Sequence, residues 1–258
     1  MSETLEQKYL RLKPEYTDWW AKATIDDSAR ARVTETVKKI LQYRNTYEQL
    51  VKGMALPWWF VAVLHYRESS LDFTTHLHNG DKLSARTKNV PSGRPLLGQP
   101  PFTWVESALD ALKMKDLHLL KDVSVPRLLF EAERYNGFGY RNRDDESVYV
   151  WSGTSMSDEK GKFVRDGVYD RSAPEKQLGI AALMLGLQEA GVAFTPVTTK
   201  KLTTTTEKVV VTTIGLGIPT VAGGFTDYLN WPTVALVTAA LVVTANAGVF
   251  LWRKYRNV

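Results

Sequence analysis

Residues 56–81 read LPWWFVAVLHYRESSLDFTTHLHNGD, and the first half of this stretch decides how the rest is taken. Phe60, Leu64 and Glu68 are spaced four apart, so a helix stacks them on one face. Trp59, Val63 and Arg67 form the neighbouring row. The spacing therefore predicts a buried helix over Leu56–Ser70, with Pro57 tolerated in its first turn and a carboxylate ending an apolar stripe. A carboxyl in such a place loses hydration, which disfavours its charged form and raises its pKa. A carboxyl that stays protonated near neutral pH can act as a general acid. The plainer alternative is a Glu that caps the helix or pairs with Arg67 or Arg86.

The surroundings set the scale. The chain has 258 residues, eight Trp and no Cys. That is enough for one large core or a domain with an appendage, and it excludes disulfides and thiolate metal sites. From Thr195 onward there are six basic and two acidic residues, so four of the five formal positive charges belong to the tail. The first 194 residues are near neutral, which argues against a nucleic-acid footprint. The opening MSETLEQKYLRLKPEY has no apolar run and is not expected to act as a signal peptide.

Residues 4–52 read mostly as helix, from the stripe Val33, Val37, Ile40, Leu41, Tyr47 and Val51; Trp19 and Trp20 are expected in the core. From Asp72 to Pro101, glycines and prolines break the periodicity, and loops with a short hairpin are expected. A long irregular stretch inside a compact domain is more often functional than idle. Helix returns over 104–134, with Ser124 a candidate cap and Pro126 just inside the second segment. RYNGFGYRNR reads as a Gly- and aromatic-rich turn. Residues 146–172 read as loop with short strands. A last helix is expected over Pro174–Ala190, where Gly179 and Gly186 would allow close packing.

Beyond a catalytic domain at 1–195, residues 196–208 (PVTTKKLTTTTEK) read as a Thr/Lys-rich linker. Residues 233–252 are 20 without a charge, long enough to span a bilayer, and end at Trp252 followed by Arg253, Lys254 and Arg256. Residues 209–225 are 17 without a charge and form a candidate first span, weakened by four Gly and Pro219. The expected tail over 209–258 is therefore a membrane hairpin with both ends on the cytoplasmic side, or a tether followed by one span.

The ordered set Glu68-Ser69-Ser70, a Gly/Pro loop, and Tyr135-Asn136-Gly137 resembles the lysozyme-like peptidoglycan hydrolases and lytic transglycosylases. HLHNGD, PPFTW, ERYNGFGY, YVWSGT and GKFVRDGVYD are similar to phage and prophage members of that superfamily, over about residues 50–190. The resemblance implies a mainly α, α+β lysozyme-like fold: a helical bundle around a central Glu-bearing helix, with a small irregular or β element. It implies cleavage of the bond between N-acetylmuramic acid and N-acetylglucosamine in glycan strands, as an endolysin or virion-associated lysin. Glu68 would be the acid. Asp81 would be the second carboxylate needed for hydrolysis, ahead of Asp72, Asp166 and Asp170; a lytic transglycosylase needs none. Ser69 would orient Glu68 by a hydrogen bond, and Tyr135 and Asn136 would contact the sugar. Gln99 stands where the middle family motif falls, although PPFTW after it departs from the pattern. His78 is expected in the cleft wall, and Trp104 and Trp151 would either stack on sugar faces or pack in the core. His76, His78 and Asp81 are expected to hydrogen-bond the loop, with no metal bound, and no cofactor is expected. Expected partners are peptidoglycan strands, a bilayer through the tail, and a holin or virion component; nucleic acid is not among them. Two rival readings remain: a catalytically silent, membrane-anchored wall-binding or virion protein, and a holin-like membrane protein with a fused domain.

Overall fold

The structure is a computed structural model and describes residues 3–165 and 167–194. The linker and both candidate spans expected beyond residue 195 lie outside the described residues. Among the described residues, no helix is long and apolar enough to cross a membrane.

The architecture is mainly helical with one small sheet. The helices are α1 (Leu5–Lys22), α2 (Asp27–Gln42), α3 (Arg44–Leu50), α4 (Trp58–Ser69), α5 (Trp104–Met114), α6 (Val125–Asn136), α7 (Val148–Trp151) and α8 (Ile180–Glu189). The strands β1 (Lys160–Arg165) and β2 (Val168–Pro174) form an antiparallel hairpin before α8.

Helix α4 is the hub. Trp59 through His65 are all buried, as is Arg67. Such all-round burial marks a central helix surrounded by others, and α3, α8 and α2 pack against it. Thr4 starts α1 with a capping box to Gln7, which satisfies two otherwise free backbone N–H groups. That helix lays Tyr9 and Tyr16 against Phe130 of α6, at ring separations of 5.3 and 6.2 Å. The same box recurs at Thr103–Glu106 and starts α5. Gly186 does what its position suggested: a Cβ there would lie 2.4 Å from Val33 Cγ1, so its absence lets α8 approach α2.

Several local expectations need correction. Residues Val148–Trp151 form a helical turn where loop or strand was expected; the run Val-Tyr-Val-Trp favours strand locally, and burial of all four side chains overrides that. The last helix begins at Ile180 and not at Pro174, because β2 extends through Pro174. Ser124 stands at the start of α6 but its hydroxyl makes no capping bond. Of the two roles open to Trp104, the structure takes the core, where its indole N–H donates to His65 Nε2 at 3.1 Å beside Tyr47 and Phe73. The expected small hairpin in the irregular segment is a single antiparallel bridge between Thr75 and Lys82.

Candidate active site around Glu68

Helix α4 ends on Glu68 and Ser69. The chain leaves through Ser70 and Leu71, both with positive φ (54° and 66°), an unusual pair for residues with side chains. The following loop returns against the helix end. A Cβ on Gly80 would lie 2.9 Å from the Glu68 carbonyl oxygen, and Gly80 itself has φ +77°. Only glycine suits both demands, so the HNGD turn braces the backbone that carries Glu68.

Glu68 lies on the floor of a cleft of about 800 Å³. Its walls are Asn136 at the end of α6, Gly137, Gly139 and Tyr140 after it, Tyr149 of α7, Lys162 to Arg165 of β1, and Glu175 and Gln177. Phe163 brings the hairpin in; a Cβ on Gly139 would lie 2.9 Å from that ring. Burial pushes the Glu68 carboxyl up to about 7 from its ordinary 4.5. A hydrogen bond from Tyr149, whose hydroxyl donates to Oε1 at 2.8 Å, and the charges of Arg67 and Lys115 oppose this without reversing it.

The tyrosine is itself fixed. The Arg67 guanidinium lies 4.6 Å from the Tyr149 ring centre and donates to Leu178 O at 3.2 Å. Burial and the neighbouring Glu68 charge hold the Tyr149 hydroxyl well above its usual range, so it remains a donor. Lys115 donates to the Tyr135 carbonyl at 3.1 Å, and burial lowers its pKa, with repulsion from Arg134 adding to that.

Of the residues named from sequence, Glu68 and Asn136 share the cleft. Tyr135 is close enough that the Glu68 charge helps raise its pKa, after burial, but its hydroxyl donates to Leu77 O at 2.8 Å and ties α6 to the loop. The others take different roles. Ser69 does not orient Glu68; its hydroxyl donates back to His65 O at 3.4 Å. The Asp81 carboxylate accepts from Lys88 N–H (2.8 Å), Asn89 N–H (2.9 Å) and the Asn79 and Asn89 side chains. Its partial burial works upward, but those donors hold it below the usual carboxylate range. Asp81 is thus a loop tie. His78 is buried and hydrogen-bonds Asp110 at 2.8 Å, while His76 bridges Ser107 and Ala85 O. Gln99 is exposed on the loop and does not line the cleft. Trp151 is 2 % exposed and packs on Trp19 with ring centres 5.3 Å apart, away from the Glu68 cleft.

The weaker carboxylate candidates fare similarly. Asp72 caps Thr74, whose hydroxyl and N–H keep its pKa low, and Asp170 binds Ser172 on the exposed hairpin. Asp166 lies outside the described residues. The carboxylate that does line the cleft beside Glu68 is Glu175, which sequence reasoning missed. Its Oε1 accepts from the N–H groups of Lys176 and Gln177 at 2.8 Å, and its Oε2 faces Arg67 at 3.5 Å. Tyr149 was also missed, although YVWSGT carries it two residues before Trp151.

The sequence matches no protein-family model, no curated protein and no solved structure.

Proposed function

We propose that this chain is a lysozyme-like enzyme that cleaves the glycan strands of bacterial peptidoglycan, with Glu68 as the general acid. The observation that carries this reading is a carboxyl raised to about 7 on the floor of an open cleft. The lysozyme-like order of motifs supports it. Glu68 donates its proton to the glycosidic oxygen as the bond to the muramic acid carbon breaks. Tyr149 occupies Oε1 as a donor, so the transferable proton belongs on Oε2. Asn136 lines the same cleft, is exposed and could hydrogen-bond a sugar there.

The second step follows from the remaining groups. Among the described residues lining the cleft, the other carboxylate is Glu175, and it is engaged by two backbone N–H groups and Arg67. A carboxylate whose oxygens are so engaged is not free to attack the sugar or to hold a water against it. This favours lytic transglycosylation: Glu68, now ionised, takes the proton of the sugar's own 6-hydroxyl, which closes the anhydro ring. The tail over 209–258 would hold the enzyme on a membrane, with peptidoglycan as its substrate and a phage or prophage as its setting.

The test is mass spectrometry of purified peptidoglycan digested with the full chain. Anhydro-muramic ends are expected. Reducing muramic ends would keep the enzyme but replace the second step by hydrolysis. Absence of released fragments across the pH range would overturn the catalytic reading in favour of a wall-binding or virion structural role.

A further inference from the structure

Residues 82–101 between the Glu68 loop and α5 hold four basic residues, Lys82, Arg86, Lys88 and Arg94, and no acidic one. The same segment displays Val90, Leu96 and Leu97 at 82, 64 and 83 % exposure. Val90 and Leu97 are the two most exposed large apolar side chains among the described residues.

This exposure is built in. Leu83 and Phe102 anchor the two ends of the segment in the core, joined by Phe102 N–H to Leu83 O at 2.9 Å. Thr87 ties the middle: its N–H donates to Arg94 O, its hydroxyl donates to Pro91 O, and it accepts from Arg94 N–H. Asp81 takes the N–H groups of Lys88 and Asn89. Arg86 holds Gly98 O at 2.8 Å, and Asp110 receives Leu96 N–H at 3.3 Å. A loop fixed at this many points cannot fold its apolar tips inward, so they stay in water, where they are less stable than in an apolar medium.

We propose that this loop is a membrane-docking element that inserts Val90, Leu96 and Leu97 into the interface of an anionic bilayer, with its basic residues at the headgroups. Apolar side chains that stand between about two-thirds and four-fifths clear of the surface suit insertion into a soft medium better than fit against a rigid protein face. Basic residues beside them supply the matching charge for anionic lipid, each adding attraction near the surface. Asp72 and Asp110 partly neutralise Lys82 and Arg94, at 3.5 Å each, which leaves Lys88 as the most available charge. A glycan, rich in hydroxyls, gains little from such a surface. The inference is independent of whether Glu68 is catalytic. It adds a second contact with lipid to the one expected of residues 233–252, and a label on the loop itself reports the two separately.

The absence of native cysteine allows a single labelled site in the full chain. An environment-sensitive fluorophore is placed at Leu97→Cys, and in a second protein at Glu35→Cys, a 69 % exposed side chain on α2. Each is reconstituted with vesicles of phosphatidylcholine, alone or mixed with phosphatidylglycerol. The emission at position 97 is expected to shift to shorter wavelength on the anionic vesicles only, with no shift at position 35. Lys88→Gln in the Leu97→Cys background is expected to weaken that docking about fivefold. No shift at position 97, an equal shift on both lipids, or an equal shift at position 35 would overturn the proposal. So would a shift at position 97 that needs no lipid and grows with protein concentration, which would give the loop to a second copy of the chain.

Discussion

The floor of the cleft and the wall behind it treat their carboxyls in opposite ways. On α6, Glu131 and Glu133 are each 1 % exposed at the side chain. Glu131 accepts from Arg127 Nε at 2.9 Å and Arg134 Nε at 2.6 Å. Glu133 accepts from Tyr16 at 2.5 Å and Arg141 at 2.9 Å. These are buried carboxyls with partners: Glu133 ties α6 to α1 and to the turn after it, while Glu131 is held by two arginines of α6 itself. Glu68, half-buried at the end of α4, has one tyrosine hydroxyl and an open cleft. Burial raises both Glu133 and Glu68, so a raised pKa alone does not separate structure from chemistry. What separates them is the company: a carboxyl closed in by arginines holds the fold, while one left a free oxygen at a cleft can move a proton.

The largest effect expected from this contrast is on Glu68→Gln. Glycan release should fall about 100- to 10,000-fold, the range of a positioned general acid, with folding intact. The same variant reports the burial. A carboxyl whose folded pKa is raised costs nothing below its unfolded value near 4.5, and its penalty builds as pH rises to about 7 and stays constant above. Glu68→Gln should therefore match the parent at pH 4 and exceed it by about 3 kcal/mol at pH 8, read by thermal melting at both pH values. An unchanged melting difference across that window would mean that Glu68 is solvated.

Glu131→Gln probes the other side of the contrast. Removing the charge leaves Arg134 without a carboxylate partner and Arg127 with Glu6 alone, and the loss should be about 3 kcal/mol of stability, measured by denaturant unfolding, with the activity of the folded fraction preserved. An activity loss per folded molecule comparable with that of Glu68→Gln would erase the distinction between wall and floor.

Tyr149→Phe sits between the two. The hydroxyl favours ionised Glu68, so its removal should raise the Glu68 pKa further and move the alkaline limb of the pH–activity profile upward. The rate itself should fall about tenfold through lost orientation. A limb that moves down, or stays in place, would remove Tyr149 from the acid's control.

Much of this contrast could be read along the chain where it depends on periodicity. The stripe Phe60–Leu64–Glu68 identified both the central helix and the carboxyl raised by burial at its end, because a helix repeats its burial every turn. The short strands in GKFVRDGVYD and the close approach at Gly186 were equally legible, though not that the strands pair as a hairpin. Tyr149 reaches Glu68 across 81 residues, and Glu175 reaches Arg67 across 108; no local pattern encodes such pairings. Ser69, His78 and Trp151 were chosen for chemistry that their side chains have but their positions do not offer. Each is turned to a nearer partner: the His65 carbonyl, Asp110 and Trp19.

Asp81 gives the smallest expected effect and sharpens the comparison furthest, because it sits one residue from the glycine that touches the Glu68 backbone. Adjacent position made it the natural second carboxylate. Its oxygens are instead spent on Lys88, Asn89 and Asn79, which makes it a local fastener of the 79–89 turn. Asp81→Asn keeps the shape and part of the acceptor capacity while removing the charge that those N–H groups favour. It should cost about 1 kcal/mol of stability and lower glycan release by no more than about threefold, with the pH profile and the chemical form of the product ends unchanged. A fall as deep as that of Glu68→Gln would return Asp81 to the reaction, and with it a hydrolytic second step. A small fall with unchanged ends would leave Glu68 as the one carboxyl that handles the proton in both directions.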